Sequence, residues 1–419
     1  MTVWEDVIGQ PGAVAALQQA SSNPQAMTHA WLITGPPGSG RSLAARAFAA
    51  ALQCDYSLGP HHAPSPHSAP APHTALASGT TQASSQAPAS DTASASDREQ
   101  LPGCGKCQGC TTVLAGTHPD VRLLATDKVT ISIDEVRELV GLAARMPALG
   151  RRRIIIVEDA DRMVERTTNV LLKAIEEPPP HTVWLLCAPY AQDVLPTIVS
   201  RCRTVTLRIP PPAAVADLLV RQEGVDYDTA LASAQAAQSH VGYARRLARD
   251  VEARQRRQEV LEMAWRIRSV GDAVLAADRL IQLAHTEGAA QVEERSAAQR
   301  AQLLRTLGVE DGKPVPPKLR GQIKALEDDH KRQATRAGRD VLDRCLLDLI
   351  TVYRDVLTYQ LGTGSMPING HMALTRDLAG ASQPEQTLHR IDAVALARQR
   401  LAGNVAPLLA LEAMFMSLR

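Results

Sequence analysis

Aromatic side chains are scarce in this chain: 2 Phe, 4 Trp and 6 Tyr make up 3% of its 419 residues. Proteins that bind single-stranded nucleic acid without reading its sequence stack bases on such rings, so that class is disfavoured. An excess of one charge is missing too. Lys and Arg number 45 against 44 Asp and Glu, a formal net charge of +1, so total charge does not advertise nucleic-acid binding. No uninterrupted apolar run is long enough to span a bilayer. The first residues, Met1-Thr-Val-Trp-Glu-Asp6, are acidic and lack the apolar stretch of a secretory signal. The expectation is a cytoplasmic protein with no membrane partner. From about Ser57 to Arg98 large apolar residues almost vanish, leaving Ala, Ser, Pro, Thr and His. Residues 57–98 cannot bury enough surface to offset their ordering entropy and are predicted to be a disordered insert. His61, His62, His67 and His73 within it have no metal-ligand spacing and read as part of a solvated tract.

What the chain does have is length for two or three domains, 45% hydrophobic residues, and one loop of distinct chemistry. Gly35-Pro36-Pro37-Gly38-Ser39-Gly40-Arg41-Ser42 follows a short apolar run, Ala30 to Thr34, and precedes an alanine-rich helical pattern, Leu43 to Leu52. Strand, glycine-rich loop, helix is the context of a phosphate-binding loop, whose backbone N–H groups curl around phosphate while a Ser or Thr hydroxyl reaches Mg²⁺. The lysine such a loop needs is Arg41 here. A planar guanidinium must either crowd the phosphates or swing out of the loop, so catalysis suffers more than folding.

A second departure concerns the acids. Ile154-Ile-Ile-Val157 reads as a buried parallel strand ending in Glu158 and Asp159. A working loop of this kind places an aspartate on Mg²⁺ and, in many cases, a glutamate after it to orient the attacking water. The order here is reversed. If Glu158 takes the metal position, its carboxylate stands a methylene too far out. If Asp159 takes it, Ala160 stands where the glutamate belongs. ATP and Mg²⁺ binding is therefore doubtful on the residues alone. The bland alternative is that the two acids simply cap a strand.

Of seven cysteines, four make a pattern: Cys54 after the loop helix, then Cys104-x-x-Cys107-x-x-Cys110. In a reducing compartment four clustered thiols are better metal ligands than disulfides, and a closed tetrahedral Cys₄ site suits structural zinc. An iron–sulfur cluster or a plain reduced cluster are the alternatives. Cys187 and Cys345 read as buried free thiols.

Further strands are predicted at 120–124, 183–186 and 204–207, and helices at 133–145 and 167–176, the latter stopped by Pro178-Pro-Pro180. Strands alternating with helices imply an α/β fold with a parallel, doubly wound sheet. Beyond about Val251 the pattern is helical throughout, with an amphipathic, core-facing helix over Asp340 to Leu361. A basic stretch including Lys318, Arg320, Lys324, Lys331 and Arg332 is interspersed with acids and reads as a solvated helix face.

Leu195-Pro-Thr-Ile-Val-Ser200-Arg201-Cys202, taken with Asp6-Val-Ile-Gly-Gln10, Glu176-Glu-Pro-Pro179 and Gly242-x-Ala-Arg245, resembles the AAA+ clamp-loader family of bacterial DNA polymerase III, in its delta-prime branch. By motif the resemblance covers residues 1 to about 255. It implies an AAA+ P-loop domain over 1–210 with a zinc module at 54 and 104–110, a small helical lid over 211–254 and an all-α collar over 255–419. It also implies roles: Val7 and Ile8 beside the adenine, Gly35 to Ser42 as the P-loop, Glu158 and Asp159 as a degenerate Walker B pair, and Arg245 as the sensor-2 arginine. Arg201 becomes an arginine finger projecting into a neighbour's ATP site; the plainer alternative is that it only pairs a carboxylate at a helix end. The implied partners are the tau/gamma ATPase subunits and the delta subunit in a heteropentamer, and, through that complex, the sliding clamp and primer–template DNA. A hydrolysing tau/gamma-type subunit is the alternative function. It would need lysine at position 41, an Asp-Glu pair and a polar residue near Cys187, none of which is present.

Overall fold

Five short strands pair as one all-parallel sheet in the order β2-β3-β4-β1-β5. The structure, a computed structural model, describes residues 2–56, 102–126, 130–306, 320–364, 367–368, 371–403 and 405–419. The insert expected over 57–98 and the start of the basic stretch at Lys318 lie outside the described residues. The chain enters through α1 (Pro11–Ser22), β1 (Ala30–Thr34), α2 (Arg41–Leu52) and α3 (Gln108–Leu114). It continues with β2 (Val121–Leu124), α4 (Ile133–Ala143), β3 (Arg153–Val157), α5 (Glu165–Glu176), β4 (Thr182–Ala188), α6 (Pro196–Val199) and β5 (Arg203–Thr206).

β1 and β4 are apolar at nearly every position because helices cover both faces of a parallel sheet. Alternate side chains divide between two cores. Trp31, Ile33, Ile154 and Ile156 meet α2, where Phe48 stands edge-on to Trp31 at 5.1 Å. Leu32, Ile155, Val157 and Trp184 meet α4 and α5 through Leu139, Leu171 and Ile175. Ser132 and Glu135 start α4 with a reciprocal capping box, which sets the helix against the strand edge.

A buried acid fixes the connection into β3. Asp120, with no solvent exposure, accepts hydrogen bonds from the backbone N–H groups of Ala148, Leu149 and Gly150 at 2.6–2.7 Å and pairs with Arg153 at 3.2 Å. Burial pushes its pKa up, but the three N–H donors and Arg153 outweigh it and hold the carboxyl below its usual range. A folded pKa below the unfolded value stabilises the protein above the unfolded value, about 3.9, and that stability is lost as pH falls through the folded one. Asp120→Ala is expected to cost about 3 kcal/mol at neutral pH, since it leaves three N–H groups without an acceptor and removes the carboxylate beside Arg153, whose guanidinium keeps only the Pro119 and Met146 carbonyls. Thermal melts of wild type and variant should converge as pH drops below about 4; a gap that persists unchanged into acid would refute this role.

The remainder is helical: α7 (Pro212–Glu223), α8 (Tyr227–Ala236), α9 (Val241–Arg249), α10 (Val251–Arg266), α11 (Val270–Thr306), α12 (Arg320–Gln360), α13 (Met372–Gly380), α14 (Pro384–Ala402) and α15 (Pro407–Ser417). α7 to α9 close a small core of Val215, Leu219, Ala230, Ala244 and Leu247. α10 to α15 share a larger one around Leu280, Leu346, Leu349, Tyr353 and Phe415. α12 begins some twenty residues before the apolar pattern at Asp340 suggests, because its polar first half runs out past this core toward the sheet. It crosses α11 closely at Gly288 and Gly338: a Cβ on Gly288 would meet the Gly338 nitrogen at 2.3 Å, so no larger residue fits there.

α12 is also bonded to α9. Asp348 pairs with Arg257 at 3.1 Å and accepts from the Tyr243 hydroxyl at 3.3 Å. Burial raises the Asp348 carboxyl, with Arg257 and Tyr243 opposing. Arg344 lies over the Tyr243 ring, and Arg246 reaches Glu287 of α11 at 2.7 Å. Among the described residues no helix is long and apolar enough to cross a membrane.

Candidate nucleotide cleft and cysteine cluster

The loop after β1 is held at both ends. Gly35 N–H donates to the carbonyls of Ala188 and Pro189 at the end of β4. Buried Gln10 donates to the carbonyls of Ser39 and Arg208 and accepts from Arg208 N–H, tying the loop's crest to the chain leaving β5. Gly38 and Gly40 take left-handed φ of 86° and 89°, which a side-chain-bearing residue resists. At Gly38 there is a second reason: a Cβ would come within 2.9 Å of the His240 backbone.

Arg41, the first residue of α2, neither projects forward nor swings away. Its guanidinium folds back and donates to the carbonyl of Gly35, so the cation closes the loop on itself. The loop opens onto a cavity of about 1420 Å³ walled by Val7, Ile8, Ile209, Pro210, Gln238 and His240 on one side and by α12 on the other. Gln238 and Ser239 have positive φ of 49° and 63°, a strained turn. Gln238 is held there by Thr351 of α12, and His240 caps α9 by accepting from Tyr243 N–H at 3.3 Å. Burial, Arg344 and Arg41 lower the His240 pKa.

The two acids at the end of β3 both have arginine partners. Glu158 lies 3.5 Å from Arg46 of α2. Asp159, itself at a left-handed φ of 56°, lies 3.0 Å from Arg336 of α12 and 3.6 Å from Arg162. Asp161 also lines the cavity, and burial followed by the Asp159 charge raises its pKa. A Mg²⁺ ion would have to displace a guanidinium from either carboxylate at the strand end. Magnesium at the strand end would compete with these arginines for both carboxylates.

Arg245 does not face this cleft. It turns to α7, 2.7 Å from Glu223, which also holds Arg249 at 3.2 Å. Arg201 follows α6 on the surface, away from the loop. It reaches Glu176 at 2.6 Å and donates to the Thr197 carbonyl, with 38% of its side chain exposed.

The sulfur atoms of Cys54, Cys104, Cys107 and Cys110 all lie within 4.8 Å of one another, although 50 residues separate the first from the second. Backbone N–H groups of Lys106 and Cys107 point at the Cys104 sulfur, and those of Asp55 and Cys110 at the Cys107 sulfur. A hydrogen bond from Cys110 lowers the Cys54 thiol, the shared proton raises Cys110, and burial raises Cys107. Without a cation only part of the cluster can ionise. Four sulfurs converging with N–H support fit a tetrahedral metal ion and leave no open position.

Residues with no local sequence signal complete the cleft. Arg336 lies 177 positions from Asp159 in a polar helix, and nothing near it marks it out. Arg46 and Arg162 look like ordinary helix-surface cations. His240 is the only one with a hint, as the residue preceding the Gly242-x-Ala-Arg245 motif by two positions.

A family model described as DNA polymerase III, delta subunit, matches residues 64–211. DNA polymerase III subunit delta' of Pseudomonas aeruginosa is 39% identical over 120 residues, 28% of this chain and 37% of its own. The Escherichia coli subunit of the same name is 36% identical over 132 residues, 31% of this chain and 40% of its own. The alignments thus span well under half the length of these relatives. Subunit gamma/tau of Mycobacterium tuberculosis matches further, over 232 residues and 54% of this chain, at a lower 28% identity. A solved gamma-subunit-related protein of Thermotoga maritima aligns with 70% of this chain and 88% of its own at 20% identity, with a TM-score of 0.28, too low to bear on the fold. The delta-prime resemblance carried by the motifs is matched by higher identity to delta' than to gamma/tau: over the matched part, this chain is most similar to the delta-prime subunits of bacterial DNA polymerase III among the relatives named here.

Proposed function

We propose that the chain is the delta-prime subunit of a clamp loader that does not hydrolyse ATP itself and lends Arg201 to a neighbouring ATPase. The observation that carries the first half is the pairing of Arg41, Glu158 and Asp159 inside the chain: the loop cation and both strand-end acids are engaged by other residues. The second half rests on Arg201, half-exposed beyond α6 and held to its own chain by a surface ion pair with Glu176 and by hydrogen bonds to the Thr197 carbonyl and the Ser200 hydroxyl. Residues 1–210 form the AAA+ domain in this reading, 211–254 the lid and 255–419 the collar through which subunits assemble into a heteropentamer. The Cys₄ cluster holds zinc, which clips α2 to α3. Val7, Ile8 and the loop residues keep the outline of a nucleotide pocket, while Arg245, turned to Glu223, braces the lid. The complex opens the sliding clamp and closes it on primed DNA in the cytoplasm.

Mixing the full chain with the tau/gamma and delta subunits of one source is expected to give a five-subunit particle containing one copy, read by native mass spectrometry. Omitting the chain is expected to abolish clamp loading on primed DNA. A full complement of loading without it would reject the assignment. Nucleotide turnover should not appear on restoring lysine alone: Arg41→Lys is expected to leave the isolated chain inactive, because both strand-end acids stay paired.

A further inference from the structure

We propose that Arg336 is a tethered counter-ion: it occupies, at Asp159, the place a divalent cation would take beside a phosphate loop, and so shuts the cleft to magnesium–nucleotide while tying α12 to the sheet. This rests on the reading of Gly35 to Ser42 as a phosphate loop, and on nothing about the neighbours of the assembled subunit.

Asp159 sits at the carboxyl end of β3, in a left-handed conformation that turns its side chain out of the strand. Its Oδ2 receives Arg336 at 3.0 Å and Arg162 at 3.6 Å, and both members of the Arg336 pair are about one-quarter exposed. Arg162 comes from the next turn of the same loop. Arg336 comes from the long helix of another core, which makes this pair a bridge between domains. The same side chain lies 3.9 Å from Asp340 one turn on, so the guanidinium is braced from its own helix. Lys331, Thr335 and Arg339 line the cavity from the same stretch of α12.

Three to four turns beyond Arg336, α12 is anchored independently. Asp348 binds Arg257 and Tyr243, and Thr351 binds Gln238. Held at Arg336 and again three to four turns further on, α12 links the end of β3 to the Gln238–Tyr243 segment without nucleotide. A guanidinium on a helix is always present and always charged, whereas Mg²⁺ must be recruited with its phosphate. The cleft therefore holds one posture at any nucleotide level.

The test uses the full chain and a fluorescent ATP analogue, titrated with Mg²⁺ and with EDTA, for wild type, Arg336→Gln and Asp159→Asn. Amide hydrogen exchange over residues 331–340 and 345–356 is followed in parallel. Arg336→Gln is expected to raise the ratio of affinity with Mg²⁺ to affinity with EDTA about tenfold or more, the scale of one released charge-assisted hydrogen bond. Exchange over 331–340 should rise while 345–356 stays protected. Asp159→Asn should raise exchange over 331–340 equally but leave the Mg²⁺ ratio at the wild-type value, since it removes the metal position with the latch. An Arg336→Gln chain with unchanged exchange, or with α12 released and the Mg²⁺ ratio unmoved, overturns the proposal. Vigorous hydrolysis by wild type would instead count against the non-hydrolysing reading, so the two failures are separable.

Discussion

Arg201→Ala in a reconstituted five-subunit assembly is expected to slow hydrolysis at the adjoining ATPase site by on the order of 10³-fold, the scale of losing an arginine finger. The side chain is positioned for this by a short helix, Pro196–Val199, that ends one residue before Ser200. Its pair with Glu176 is well exposed on both sides. Such a pair is worth at most about 1 kcal/mol, so the guanidinium can leave it for a phosphate at little cost. Glu176→Ala is therefore expected to leave the assembly's rate at or above wild type. The readout is phosphate release with clamp and primed DNA present, at matched subunit concentration. A rate untouched by Arg201→Ala would remove the finger and leave the side chain as a helix-end ion pair. Lysine at the same position should not rescue fully, because a compact ammonium lacks the fork that spans two phosphate oxygens.

Removal of the metal should have the second largest effect. The native chain is expected to carry one zinc, and Cys107→Ser to lose it. Cys107 is the sensitive choice because its sulfur accepts two backbone N–H groups and its backbone starts α3. Loss of a structural metal belongs to the short list of changes that cost more than about 4 kcal/mol. The damage should concentrate where the cluster is packed. Cys110 is fully buried against α2, and Gly109 lies so close to the Gln53 carbonyl that a Cβ would meet it at 2.0 Å. Limited proteolysis should therefore open residues 102–114 while the α10–α15 core stays intact. Elemental analysis finding no metal in natively prepared chain, together with an unchanged melting profile for Cys107→Ser, would contradict this reading. Gel filtration of the metal-free chain separates local opening from global unfolding.

Much of the scaffold could be read from the sequence because its signals are local. The apolar runs at 30–34, 154–157, 183–186 and 204–207 are strands of one parallel sheet, each within two residues of the expected ends. Burial on both faces leaves few polar positions to confuse the pattern. The loop glycines and the Cys-x-x-Cys-x-x-Cys spacing were equally legible, and Cys54 joins them because α2 delivers it to the same corner. The boundaries proposed for the lid and collar had no such support, since the helices there carry only amphipathic patterning.

What stayed hidden is long-range pairing between charges. Arg41 offered two expected positions, crowding the phosphates or leaving the loop, and takes a third on the Gly35 carbonyl. A backbone acceptor six residues away is invisible to side-chain patterns. The Asp159–Arg336 pair joins residues 177 positions apart, and the apolar pattern that marks α12 as core-facing starts only at Asp340. Arg245 fits its motif by spacing, yet Glu223 and Gln222 at the end of α7 hold it outside the cleft.

The most direct measurement is ATP turnover by the purified full chain alone, with Mg²⁺, clamp and primed DNA supplied. With Arg41 bound to its own loop and both strand-end acids paired, no release above the protein-free blank is expected, even at protein concentrations far above those at which the assembled loader works. Steady turnover that disappears in Arg41→Ala would contradict the account at its centre.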